Sequence, residues 1–161
     1  MDWPERSMPR TKQLFADDLA VGFVFRGEAT ALTSEHFSQF AALTGDKHPI
    51  HYDAAFAAKT KFGRPLAHGL LLTAMTALGA TSFSEALEDS MVALVEQQMR
   101  FLHPAFEGDV LTPKFAVTSN KPSTGGRTAI VELSVGLSNQ AGEQILKGRH
   151  VYLLLRSPRS E

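Results

Sequence analysis

The chain has 161 residues, enough for one domain with a single substantial core. Hydrophobic residues make up 43% and charged residues 20%, an ordinary globular balance. The net charge of -1 gives no electrostatic basis for binding nucleic acid or an anionic membrane, and the lack of cysteine excludes disulfides, thiolate nucleophiles and cysteine-held metals.

Residues 1–18 are polar and punctuated by Pro4 and Pro9, and read as an N-terminal arm on a single domain covering 1–161. They contain no apolar run of the signal-peptide kind. Residues 21–32 read as a strand in which Phe23 and Phe25 alternate with Val24, Arg26 and Glu28. Thr33 and Ser34 then offer N-cap chemistry, and Glu35 suits the first turn of a helix. Phe37, Phe40 and Ala41 give that helix one apolar stripe, and Gly45 ends it. Residues 52–58 read as one or two further helical turns. Residues 67–78 are apolar on every face, which predicts a helix buried on nearly all sides. The run 70–80 is broken by Thr73, Thr76 and Gly79 and falls short of the ~20 residues of a membrane span. A soluble, cytoplasmic protein is expected.

From Met91 onward the pattern is that of strands. Gln97, Met99 and Phe101 alternate with Glu96, Gln98 and Arg100, and residues 110–119 form the next strand. Ala129, Val131, Leu133, Val135 and Leu137 hold period two without a break. Residues 143–155 close the chain as the last strand. Short connections between successive strands imply an antiparallel sheet, with the all-apolar helix packed on one face. The expected fold is α+β, a two-layer domain whose sheet wraps a central buried helix.

The chemistry concentrates in Gly45-Asp46-Lys47-His48-Pro49-Ile50-His51. Pro49 disfavours helix at His48, so the segment should bend, and a bend can bring Asp46 and His51 over one small space. A carboxylate and an imidazole around one water are the minimum equipment for proton transfer. A helix cap at Asp46 with solvated histidines is the alternative that this stretch leaves open.

Asp46-x-x-Pro49-Ile50-His51, with Arg64-Pro65-Leu66-Ala67-His68-Gly69-Leu70-Leu71, resembles the MaoC-like dehydratases and (R)-specific enoyl-CoA hydratases of the hot-dog fold. Phe101-x-x-Pro104-x-Phe106-x-Gly108-Asp109 resembles a strand-to-strand corner of the same family. The resemblance runs from about residue 15 to 155. It implies that Asp46 and His51 hold the reacting water and that Gly69 offers a backbone N–H to the thioester oxygen. The reaction implied is reversible hydration of a trans-2-enoyl-CoA to the (3R)-3-hydroxyacyl-CoA, with coenzyme A present only as part of the substrate and no metal or other cofactor. A homodimer or higher homo-oligomer is implied as well.

Two departures stand out. His48 replaces the asparagine usual in the family, and Ala77 stands where some hydratases carry a serine, with Thr76 beside it. His48 and His68 are the substrate-binding candidates beside the site. His36, His103 and His150 lie on separate elements, where surface or packing roles are expected, and no pair has metal-ligand spacing. Lys59, Lys61 and Arg64 either meet the phosphates of CoA or stand solvated. Phe83 or Met75 would limit acyl length if the apolar helix walls the acyl pocket. The rival functions are a hot-dog acyl-CoA thioesterase and a non-catalytic acyl-binding subunit. Thioesterases of this shape use a carboxylate near the central helix rather than an Asp-x-x-Pro-x-His loop.

Overall fold

The computed structural model describes residues 12–158. In chain order the elements are β1 (Val24–Arg26), β2 (Thr30–Ala31), α1 (Ser34–Thr44), α2 (Ala54–Ala57), α3 (Gly69–Ala74), α4 (Phe83–Ala86), β3 (Met91–Phe101), β4 (Val110–Pro122), β5 (Thr128–Ser138) and β6 (Gln144–Leu155). The strands pair antiparallel in the order β1-β4-β5-β6-β3, and β2 also pairs with β4. The architecture is therefore α+β, and among the described residues the four α-helices precede the long strands.

Period two along β5 does what it predicts. Ala129, Val131, Leu133, Val135 and Leu137 are all buried, and they join helix and loop residues in two clusters on one face of the sheet. One cluster gathers Leu78, Leu87, Phe115, Tyr152 and Leu154; the other gathers Phe37, Leu71, Leu72, Leu111 and Ile145. The helical layer thus sits on the sheet over the length of β5.

The strand expected over 21–32 is split in two. At the break, Gly27 donates its N–H to Pro113 O (3.0 Å), and a Cβ there would lie 2.7 Å from the Pro113 ring and 2.9 Å from Thr81. Part of the expected N-terminal arm is anchored. Ala16 and Leu19 are buried, Asn120 donates its side-chain amide to both their carbonyls, and Arg156 clamps Asp17. Residues 1–11 of that arm lie outside the described residues.

The apolar run 67–78 also differs from expectation. Its helix, α3, stops at Ala74, where Thr73 and Thr76 turn their hydroxyls back onto the Gly69 and Thr73 carbonyls, and Ala77 is extended at ψ 127. Side-chain hydroxyls competing for backbone groups in this way weaken helix continuation. Leu71 and Leu72 are buried, whereas Leu70 is 69% exposed, so one flank of α3 is open.

His150, expected at the surface or in packing, is fully buried on β6, and burial lowers its pKa to about 4. The sign follows directly. Below the unfolded value of ~6.5 the unfolded chain takes up a proton that the folded chain refuses, so stability is full above ~6.5 and falls as pH drops toward 4. The fall should amount to about 3 kcal/mol. Urea melts across that window should show it in the wild type and not in His150→Gln; equal pH profiles for the two proteins would contradict it.

Candidate active site

Thr33 caps α1 as expected, and His36 returns the contact, its Nδ1 3.0 Å from the Thr33 N–H. Gly45 ends the helix in the left-handed region (φ 79). This stop turns the chain at the point where Asp46 begins. Asp46 Oδ1 then accepts the His48 N–H (3.2 Å), and His48 Nδ1 accepts the Ile50 N–H (3.3 Å). These two local bonds fold the loop, and Pro49 opens a single 3-10 turn over Pro49–His51. Histidine at position 48 therefore performs the turn-bracing bond that an asparagine side chain makes at such a position. The Phe56 ring packs edge-on against it at 5.7 Å.

The outcome of this folding is convergence. One carboxylate oxygen of Asp46 and one ring nitrogen each of His51 and His68 lie within 4.8 Å of one another. Asp46 is exposed, His51 half-buried and His68 buried. The Asp46 and His51 expected to share one space are together, and His68 stands with them.

Each imidazole is held from behind. His51 Nδ1 is 2.7 Å from the Leu66 carbonyl. A carbonyl can only accept, so Nδ1 carries the proton, and in the neutral ring Nε2 is the basic nitrogen. The His51 ring stacks on His68, with centroids 3.8 Å apart. His68 Nε2 meets the Tyr52 hydroxyl at 2.6 Å, and that hydroxyl is also 3.0 Å from the Asp46 carbonyl and 3.2 Å from the Phe37 carbonyl. The contacts fit His68 Nε2–H donating to Tyr52, with the single Tyr52 hydroxyl proton going on to the Asp46 or the Phe37 carbonyl. His68 Nδ1 is then a buried lone pair with no protein partner among the described residues.

Electrostatics agree with that assignment. Burial, then the neighbouring His51, lowers the pKa of His68 against the opposing pull of Asp46, which keeps the ring neutral. Burial and the charge of Asp46 raise that of Tyr52, which keeps its proton. Tyr52 is the residue that sequence reasoning missed. Its place six residues past Asp46 carries no motif signal, and its role appears only once α1 and the loop are packed together.

Gly69 opens α3 directly after His68, and its N–H has no backbone acceptor assigned among the described residues. A Cβ at this position would sit 3.0 Å from the Phe101 ring of β3, a tight approach of the strand's side chain to the helix start. Arg64 is not free to roam, since its guanidinium lies 3.9 Å over the Phe106 ring. Asp46, His51 and His68 are also residue types able to ligate a metal ion.

A model of the MaoC-like domain family matches residues 20–139. The chain belongs to the MaoC-like family. It is 34% identical over 118 residues to the (R)-specific enoyl-CoA hydratase of Aeromonas caviae, covering 71% of this chain and 81% of that one. It is 28% identical over 156 residues to the 3-hydroxybutyryl-CoA dehydratase of Methylorubrum extorquens, covering 96% and 90%. The crystal structure of a MaoC-like dehydratase from Rhodospirillum rubrum superposes with a TM-score of 0.79 at 25% identity, covering 91% of this chain and 99% of that one. The MaoC-like fold here is the hot-dog fold, and the enzyme is a hydro-lyase at the level of its family. Among the described residues no helix is long and apolar enough to cross a membrane.

Proposed function

We propose that this protein adds water across the double bond of a trans-2-enoyl-CoA to give the (3R)-3-hydroxyacyl-CoA, and runs the reverse dehydration. The observation that carries the reading is the convergence of Asp46 and His51 with the His51 Nδ1 proton committed to the Leu66 carbonyl. His51 Nε2 takes a proton from the water as its oxygen bonds to C3. The displaced electron pair moves onto the thioester oxygen, and the Asp46–His51 pair returns a proton to C2. Water's two hydrogens and its oxygen are then all accounted for, and no redox partner enters.

The enolate oxygen needs a donor already in place, and the Gly69 N–H is the candidate. That N–H has no backbone acceptor assigned among the described residues, which leaves it available to that oxygen. His68 supports the reading from beside His51, its ring stacked on that imidazole at 3.8 Å and so fixing its plane. His48 acts from behind, through the turn it braces. The chain also works as a homodimer or higher homo-oligomer in this reading. β3 ends the sheet, and its Val92, Leu94 and Val95 are at least half exposed, an apolar edge of the kind a second copy covers.

Incubation with crotonyl-CoA tests the reaction. Loss of the conjugated-enoyl absorbance without free thiol, with the 3R alcohol on chiral chromatography, is the expected result. Thiol release from butyryl-CoA would instead make the protein a thioesterase.

A further inference from the structure

A cavity of about 510 Å³ opens beside α3, one residue past Gly69. One wall is Leu70 and Ala74 of α3 with Ala77 just past its end, and Leu94 of β3 also lines it. Phe83 is stacked on Phe25 elsewhere, and Met75 packs into the core beside Leu71, so neither of the expected chain-length stops lines this space. Thr73 and Ser84 also line it, but their hydroxyls already donate to the Gly69 and Gly79 carbonyls; the remaining polar lining is a linked group of three, Gln97, His150 and Tyr152.

The proton count of this group does not close on itself. His150 Nε2 is 2.8 Å from the Gln97 amide and 3.3 Å from the Thr76 hydroxyl, while Nδ1 is 3.2 Å from the Tyr152 hydroxyl. Thr76 already donates to the Thr73 carbonyl (2.6 Å), so it can only accept. Place the imidazole proton on Nδ1: it goes to Tyr152, Nε2 accepts from Gln97, and the Tyr152 O–H is left over. Place it on Nε2 instead: Tyr152 donates to Nδ1, Nε2 donates to the Thr76 oxygen or to a Gln97 amide turned over to present its carbonyl, and the NH₂ of the solvent-exposed Gln97 is left over. In both tautomers a donor remains that no acceptor among the described residues takes.

A leftover donor in a hollow of this kind favours an occupant that brings an acceptor, and it leaves a plain alkyl chain with an unpaired group. The charge of that acceptor can be read too. Among the described residues no Lys, Arg, Asp or Glu lines the cavity, and a buried histidine held neutral is no counter-ion. A carboxylate there would be desolvated without a partner.

We infer that the acyl chain of the preferred substrate carries a neutral oxygen, a ketone or a hydroxyl, at its far end, and that Gln97, His150 and Tyr152 read it. This rests on the hydratase reading, since it assigns the acyl tail to the cavity adjoining Gly69.

The test compares medium-chain trans-2-enoyl-CoAs with analogues bearing a ketone, a hydroxyl or a carboxylate near the chain end. Wild-type kcat/KM should favour the ketone or hydroxyl form over the plain chain by about 10-fold or more, and should not favour the carboxylate. Within Tyr152→Phe/Gln97→Met that ratio should fall toward unity; because the ratio is taken within one protein, a general loss of turnover cancels. Each single variant locates the leftover donor. A wild type that treats the plain and oxygenated chains alike, one that prefers the carboxylate, or a ratio that survives the double substitution would overturn the inference. Calorimetric binding of the saturated acyl-CoA pairs separates the two readings. A binding preference without any enoyl-CoA turnover would sink the hydratase reading and keep this one; turnover without the preference would do the opposite.

Discussion

Asp46→Asn should lower kcat/KM for enoyl-CoA hydration by about 10³-fold while leaving the thermal transition in place, the scale expected for losing a positioned acid–base group. The substitution is close to isosteric, and the structure says what survives it. The loop bond at Asp46 is made by Oδ1 accepting the His48 N–H, which an asparagine carbonyl oxygen can still accept. Only the charge and the exchangeable proton are lost. His51→Asn should match it in rate, but it also removes the ring stacked on His68 and the bond to Leu66. Steady-state kinetics on crotonyl-CoA beside a thermal melt decides the matter. Wild-type turnover in a folded Asp46→Asn protein would remove Asp46 from the chemistry.

Gly148→Ala should cost the fold about 3 kcal/mol or more, at the upper end of overpacking effects. Gly148 sits on β6 opposite Met99 of β3, and a Cβ there would fall 1.9 Å from the Gln98 carbonyl oxygen and 2.6 Å from Met99 Sδ. The obstacle at 1.9 Å is main chain, so no rotamer relieves it, and β3 must move away from β6. Gly136→Ala on β5 is the control. Its new methyl meets only the end of the Gln144 side chain, at 3.2 Å, which can swing aside. Chemical denaturation of the two variants should separate them clearly, and equal stability would show that β3 yields more easily than the close approach implies.

Local chemistry made part of this molecule readable in advance. Thr33 and Gly45 bound α1 because a hydroxyl cap and a left-handed glycine act within one turn of themselves. The loop 46–51 was foreseeable for the same reason, since Pro49 bars helix at its neighbour and the bracing bonds span two residues. The run 67–78 was misjudged in length because apolar composition reports burial, not the point at which two threonine hydroxyls claim the carbonyls. Tyr52 and the trio of Gln97, His150 and Tyr152 stayed hidden. Their partners lie up to 74 residues away, and only the packing of α1 on its loop, for Tyr52, and of β3, β6 and the segment after α3, for the trio, brings them into reach.

The proton on the back of His51 is secured by main chain, the carbonyl of Leu66, on a segment that bridges to Phe106. Every amino acid supplies that oxygen equally well. Point mutation at position 66 can therefore change the side chain there without erasing the His51 tautomer. In lineages descending from such a chain, the His51 tautomer is inherited whatever side chain stands at position 66.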